Sequence, residues 1–316
     1  MSAEVLPTII LGSRGSELAR AQTKLVADAL QRAWPALEIK IQIITTRGDE
    51  RTVEPIDPRA GRKGLFTGEI ERALAAREID LAIHSAKDLP SDATPGLEVW
   101  AALPRAAFDD ILIQKNPGGF VSLRRNAVIA TGSVRRQYQL RWQRPDIRPV
   151  ELRGNVPTRL RKLMTSDWDG IVLARAGVER LGYELTAGTI DFEGAQFFAE
   201  ILPADHFLPA GGQGVIAMQL RSDDTEKKKL IAPINDRRTL SCLEAEREFL
   251  RLLNGDCNSP VGILASVENN EMTLRAQIFE QANAAPRSGG VRLSLQTEEP
   301  KQIAATLFNQ MYGREK

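Results

Sequence analysis

Asp88 stands in the stretch Ile79 to Pro90, IDLAIHSAKDLP, with His84, Ser85 and Lys87 close by. A carboxylate in such company can stabilise a developing cation or exchange a proton during bond making. Asp80 to Ile83 is a short, mostly apolar run ending in a β-branched residue, which suits a buried parallel strand. Ligands of open α/β sheets bind outside the carboxyl ends of the strands, so His84, Ser85, Lys87 and Asp88 fall where chemistry is usually done. Pro90 and Pro95 make the exit a loop. Read by itself, the stretch is more simply an exposed turn with a solvated Lys and Asp, and only the other motifs displace that reading.

Those motifs are arginines at the starts of helices. A strand pattern at Thr8 to Leu11 leads through GSRGS into the helical spacing Leu18, Ala21, Leu25, Val26, Ala29, Leu30. Strand, glycine turn and helix form an anion cradle of backbone N–H groups, to which Arg14 adds a planar fork. Val128 to Thr131 leads in the same way into GSVRRQ, and Val150 to Leu152 into RGNVPTRL, with Arg153 at the strand end and Arg159 one turn into the helix. Asp169 to Ala174 before RAGVERLG repeats the arrangement. Arg135 and Arg136 occupy a first helical turn, where a positive side chain opposes the helix dipole by about 0.3–1 kcal/mol, so each needs an anion or a functional reason.

Net charge is +1, yet from Arg124 to Lys162 ten arginines and one lysine face only Asp146 and Glu151, a local excess of +9. Concentration of this kind implies a dedicated anion site rather than a generally basic coat. Solvated helix faces or phosphate contacts to nucleic acid are the alternatives. An aromatic content of 5% argues against single-strand binding, and arginines spread over several helix starts suit a compact polyanionic small molecule better than a duplex.

The two cysteines differ in setting. Cys242 lies beside Leu243 within an amphipathic helix spanning Arg237 to Leu253, with Leu240, Ala245, Phe249 and Leu252 at apolar positions, and reads as a buried structural thiol. Cys257 sits in the polar turn NGDCNSPVG after that helix, where an exposed thiol is an oxidation liability unless it is used. The pair matches no zinc or redox spacing, so no metal is expected and a reducing cytoplasm is the default.

The elements that must position these residues alternate strand and helix over residues 8 to 180, which predicts an α/β fold with mainly parallel sheets. A chain of 316 residues, 42% hydrophobic, is long enough for roughly two or three domains. Helix N-termini converge if two such sheets face each other across a cleft, the architecture of two-lobed binding proteins. Residues 47 to 66 form a long polar segment and read as a lid. Thr67 is the expected N-cap of a helix to Ala76. The glycine cluster in LPAGGQGVIAMQL, 208 to 220, reads as a hinge returning to the first lobe. Strand patterns at Val261 to Val267, Met272 to Phe279 and Val291 to Leu295 and a helix at Lys301 to Met311 make a small α+β third domain. The short apolar run Leu6 to Leu11 behind Glu4 does not resemble a signal peptide, and no run approaches membrane-spanning length.

With Asp88, the arginines and Cys257 in hand, the sequence from about Ile9 to Phe279 closely resembles the porphobilinogen deaminase (hydroxymethylbilane synthase) family. The motifs are GSRGSELA, TRGD, KGLFT, DLAIHSAKDLP, ATGSVRRQ, LRGNVPTRL, AGVERLG, GQG and the GDCNSPVG loop. The resemblance implies two lobes of periplasmic-binding-protein type, 1–104 with 202–222 and 105–201, and a small α+β C-terminal domain, 223–316, that carries the cofactor. It implies a dipyrromethane held by a thioether to Cys257, with Asp88 as the catalytic acid. Substrate and cofactor contacts map onto Arg14, Ser16, Lys87, Thr131, Ser133, Arg135, Arg136, Arg153, Asn155 and Arg159, with Lys63 and Phe66 contributed by the lid.

The implied activity is that of a transferase of tetrapyrrole and haem biosynthesis. Four porphobilinogen units are deaminated and joined head to tail on the primer, and hydroxymethylbilane is released. The partners are then porphobilinogen and its polypyrrole intermediates, with no nucleic acid or membrane, and the chain is expected to be a cytoplasmic monomer. The chain departs from the common family pattern at Gly68, at RAAFDD in 105–110, at Gln219 where Glu is frequent, and at Asp-Cys-Asn around Cys257. The competing class is a non-catalytic two-lobed receptor for a small polyanion, which would explain the arginines but neither Asp88 nor Cys257.

Overall fold

The computed structural model describes residues 8–46, 67–254, 260–281 and 283–313. In chain order the elements are β1 (Ile9–Arg14), α1 (Glu17–Ala33), β2 (Ile39–Ile44), α2 (Gly68–Ala75), β3 (Leu81–Ser85), β4 (Leu97–Ala102), β5 (Asp110–Gln114), β6 (Val128–Ala130), α3 (Val134–Gln143), β7 (Arg148–Val150), α4 (Val156–Thr165), β8 (Gly170–Ala174) and α5 (Arg175–Glu179). They continue with β9 (Thr189–Phe192), β10 (Ala195–Leu202), β11 (Ile216–Arg221), α6 (Thr225–Ile231), α7 (Arg237–Leu252), β12 (Val261–Glu268), β13 (Glu271–Ile278), β14 (Arg287–Ser294) and α8 (Pro300–Tyr312). The chain groups into two compact units, Met1–Arg105 with Val215–Leu243, and Ala106–Gly214 with Glu244–Lys316.

In the first unit five strands lie in the order β2-β1-β3-β11-β4. β1 runs parallel to β2 and β3, while β11 enters antiparallel between β3 and β4. Period-2 alternation in β1 sends Ile9 and Leu11 to one face, where they pack with Val26 and Leu30 of α1 and with Leu81 and Ile83 of β3. Ile10 joins the opposite face with Ile70 and Leu74 of α2, Ile79 and Ala82. Helices therefore cover both faces, and each fully buried Ile or Leu contributes roughly 1.5–3 kcal/mol.

β1 extends further than the glycine-turn reading of GSRGS allows. Gly12, Ser13 and Arg14 are strand residues paired with Gln42, Ile43 and Ile44, and only Gly15 and Ser16 make the turn. Packing favours glycine at position 12 instead, since a Cβ there would lie 2.3 Å from Ile79 Cδ1 and the buried Ile79 side chain would have to shift.

The sheet of the second unit has the order β7-β6-β8-β5-β10-β9. β6 is parallel to β7 and β8, whereas β5, β10 and β9 are added antiparallel. Both large sheets are thus mixed, with their parallel pairings on one side. The hairpin β9–β10 escapes the strand-helix alternation because it is half-exposed and turns through Gly194 at φ +81°. β7 ends at Val150, leaving Leu152 beyond the strand but buried in the core with Leu160 and Leu163 of α4.

The remaining sheet, β12-β13-β14, is an antiparallel meander covered by α8. Phe249 of α7 meets Phe308 of α8 edge to face at 6.3 Å. Cys242 is buried, as an amphipathic helix position requires. Thr67 stands at the N-cap position of α2 but makes no cap hydrogen bond, and its buried hydroxyl has no partner among the described residues. Among the described residues no helix is long and apolar enough to cross a membrane.

Ile190 of β9 is 1% exposed and packs in the core of the second unit with Phe192 and Phe197, remote in sequence from Arg135, Arg136, Arg153 and Arg159. Ile190→Ala is expected to lower stability by about 2–5 kcal/mol, read as a lower urea midpoint. A loss under about 0.5 kcal/mol would show that this edge hairpin is not part of the cooperative core.

Candidate functional site

β3 ends at Ser85, and a single 3-10 turn, Ala86–Asp88, carries Lys87 and Asp88 beyond it. The turn is anchored at both ends. Ala86 is buried and its N–H donates 3.0 Å to Val215 O, and the buried Leu89 closes the turn with an N–H to Ala86 O. Asp88 is left half-buried, and its carboxylate is paired with no described residue.

Hydrogen bonds hold the strand end below it. Gln22 Nε2 of α1 donates 2.8 Å to Ser85 Oγ. His84 Nε2 lies 3.0 Å from Gln219 Oε1, Gln219 Nε2 donates 2.9 Å to Glu71 Oε1, and Thr94 donates to Glu71 Oε2. Since the Glu71 carboxylate only accepts, Gln219 presents its carbonyl to the histidine, and His84 carries a proton on Nε2. The amide at position 219 thus links the histidine to Glu71.

Ser16 caps α1, Ser133 caps α3 and Asn155 caps α4, their side chains accepting from the N–H groups of Ala19, Arg136 and Thr158. Each cap satisfies one first-turn donor and leaves others for a ligand. Arg14 is the last residue of β1. Thr131 is buried after β6 and its Oγ1 accepts 3.3 Å from Ser133 N. Arg153 and Asn155 lie in the turn that leads into α4, and Arg159 lies within that helix: Arg153 Nε donates 2.6 Å to Glu151, and Arg159 Nε donates 2.7 Å to Gly154 O. Gly154 adopts φ +112°, a conformation that lets the backbone turn between the two arginines. Lys63, Phe66 and Cys257 lie outside the described residues.

Arg135 and Arg136 are 3% and 5% exposed, and the anion that their place in the helix demands is Asp110, fully buried at the start of β5. Arg135 Nη1 reaches Asp110 Oδ2 at 2.7 Å, and Arg136 reaches Oδ1 through Nε at 3.1 Å and Nη2 at 2.7 Å. Sequence reasoning overlooked Asp110. The available signal was a charged residue heading the apolar run ILI, which has to find a buried partner.

Burial by itself would raise the carboxyl of Asp110, but Arg135 and Arg136 outweigh it and hold the group well below the usual carboxylate range. Burial depresses Arg135, as befits a cation that shares its counter-ion. Among the described residues the cluster of two guanidiniums and one carboxylate is one anion short, and Arg135 Nε is buried without a partner. A ligand rich in carboxylates, such as a dipyrromethane with its acetate and propionate groups, suits that donor set.

A depressed carboxyl adds stability above its unfolded pKa and loses it as pH falls through the folded value. Asp110→Asn should therefore cost about 3–5 kcal/mol near neutral pH. The gap between wild type and variant should shrink as pH drops below about 4. Urea titrations along this pH series measure it, and a gap constant down to about pH 2 would contradict the pairing.

Comparison with known proteins identifies the family. The family model for the dipyrromethane cofactor binding domain of porphobilinogen deaminase matches residues 9–229, and the model for the C-terminal domain matches residues 240–313. The porphobilinogen deaminase of Roseiflexus sp. (strain RS-1) is 45% identical over 271 residues, 86% of each chain. That of Syntrophomonas wolfei is 40% identical over 302 residues, 95% of each chain, and that of Exiguobacterium sibiricum is 40% identical over 313 residues, 97% of this chain and 96% of its own. Among solved structures, the BvgS periplasmic VFT2 domain of Bordetella pertussis aligns with a TM-score of 0.42 at 15% identity, covering 72% of this chain and 86% of that one. With both family models matched in order along the chain and relatives this similar over nearly its whole length, the chain belongs to the porphobilinogen deaminase family.

Proposed function

We infer that the protein is a hydroxymethylbilane synthase: it deaminates porphobilinogen, joins four units head to tail on a covalently attached dipyrromethane, and releases hydroxymethylbilane. The observation that carries this reading is the 40% identity, over 95% of both chains, to a relative named porphobilinogen deaminase. A non-catalytic polyanion receptor would need neither the carboxylate of Asp88, unpaired among the described residues, nor that similarity.

Dipyrromethane supplies, when attached, the free pyrrole carbon to which a new unit is joined. Asp88 is the catalytic group we assign to this chain. Loss of ammonia breaks the aminomethyl C–N bond of porphobilinogen and leaves a cationic methylene-pyrrole. The ionised Asp88 carboxylate, unpaired among the described residues, stabilises that charge and accepts the proton released when the new C–C bond forms. Lys87 beside it offers an ammonium to a substrate carboxylate.

Arg14, Ser16, Thr131, Ser133, Arg135, Arg136, Arg153, Asn155 and Arg159, together with Lys63 and Phe66, bind and orient the acetate and propionate groups of substrate and chain. Guanidinium forks and first-turn N–H groups are the appropriate donors for carboxylates. The arginine excess between Arg124 and Lys162 supplies the countercharge that accumulates as rings are added. The proposed organisation is a first lobe of 1–104 and 202–222, a second of 105–201, and a segment 223–316 bearing the attachment residue Cys257. Nothing in the proposed reaction calls for nucleic acid, membrane or a second subunit, and we assign a cytoplasmic monomer.

Cys242 is buried in a packed helix, which leaves Cys257 as the thiol for the thioether. Wild-type chain from cells supplied with porphobilinogen is expected to be heavier than its sequence by one dipyrromethane; Cys257→Ser should lose the increment and Cys242→Ser keep it. Intact-mass spectrometry decides, and an unmodified wild type would contradict the assignment.

A further inference from the structure

Asp110 has no place in the reaction as described, yet more converges on it than on any other described carboxylate of the second unit. Its oxygens take Arg135 Nη1 at 2.7 Å and Nη2 at 3.4 Å, Arg136 Nε at 3.1 Å and Nη2 at 2.7 Å, and Gln213 Nε2 at 2.9 Å. Gln213 is itself fixed, donating 2.7 Å to Phe108 O and preceding Gly214, whose φ of +84° and distance of 2.6 Å from a notional Cβ to Ala106 O admit no side chain. On the other flank Gln139 Oε1 accepts from Arg135 Nη1 at 2.8 Å and Gln139 Nε2 donates to Leu208 O. Arg136 Nη1 ends on Val172 O.

Apart from Asp110, every described acceptor around the two guanidiniums is a neutral amide or carbonyl. A buried pair kept only for structure would balance its charges, because an uncompensated ion in the interior is costly. Here two cations share one anion, and the donor left over, Arg135 Nε, has no partner among the described residues.

We propose that Asp110 is a positioning residue: it fixes the planes of Arg135 and Arg136 and leaves the pair with one positive charge in excess for a carboxylate of the primer or growing chain. The inference rests on the reading that these arginines bind pyrrole carboxylates. Asp110 touches no substrate and acts only through the guanidiniums. Without its charge the two cations repel, their forks lose a common acceptor, and the ligand carboxylate meets a mobile pair.

The test uses the full chain, purified from cells supplied with porphobilinogen, as wild type, Asp110→Asn, Asp110→Glu and the destabilised control Ile190→Ala. Primer occupancy is read by intact mass, KM and kcat by porphobilinogen consumption, and stability by melting. Expected is a control with lowered melting temperature but wild-type occupancy and KM. Asp110→Asn should show occupancy reduced at least twofold and KM raised about tenfold or more, with kcat changed less. Asp110→Glu, which retains the charge but displaces it by a methylene, should recover part of the occupancy.

Wild-type occupancy and KM in a folded Asp110→Asn or Asp110→Glu overturn the proposal. So does failure of both variants to fold, which leaves Asp110 a purely structural role. If Asn alone fails to fold, the Glu variant decides by the same two readings. A wild type with neither primer nor turnover rejects the functional reading together with the inference, whereas an active wild type beside indifferent Asp110 variants rejects the inference alone.

Discussion

Two guanidinium groups, Arg135 and Arg136, share the single carboxylate of Asp110 where water does not reach. Much of the second unit is arranged around that constraint. β5 must begin with an aspartate although it continues as a fully buried apolar strand, the turn before Val215 must be glycine-rich to bring Gln213 in, and α3 must carry cations in the turn where its dipole disfavours them. The polar cost is offset by packing on both faces of the sheet, with Ile111 and Ile113 on one and Leu112 and Ile129 on the other.

The first unit solves a different problem. It places one carboxylate, that of Asp88, half-buried and unpaired among the described residues, one turn beyond a buried strand. β3 lies between β1 and β11 with Leu81, Ala82 and Ile83 buried, so the turn after it starts from a rigid strand. The Gln22–Ser85 bond and the chain His84–Gln219–Glu71–Thr94 fix the strand end from two sides. Neutral Gln219 keeps that chain free of a second carboxylate beside Glu71, where like charges would compete.

Much of this was legible in the sequence because it is periodic. β1 with α1, β6 with α3 and β8 with α5 each show a short apolar run followed by small residues and a helical stripe, and a strand end is where a reactive side chain becomes accessible. The roles of Asp88 and Cys257 came from motif resemblance rather than periodicity, since one aspartate or thiol in a turn is chemically ambiguous. Hidden were the features set by tertiary partners. Gly12 answers to Ile79, distant in sequence; Glu246 sits on the apolar face of α7 because the N–H groups of Gly212 and Ala265 satisfy it; Asp110 binds arginines 25 and 26 residues away. The antiparallel hairpin β9–β10 was missed because an edge strand with half-exposed residues gives a weak alternation.

Everything except Asp88 and the attachment residue Cys257 could serve a protein that merely binds a polyanion, and Asp88 is the group assigned the chemistry, so the account stands or falls on that carboxylate. Asp88→Asn changes almost no volume and removes the charge, leaving fold and arginines intact. One preorganised charge is worth about 3–4 kcal/mol at a transition state, so porphobilinogen consumption should fall by roughly two to three orders of magnitude. Asp88→Glu should retain more activity than Asp88→Asn. An Asp88→Asn enzyme that consumes porphobilinogen within about threefold of wild type would contradict the account.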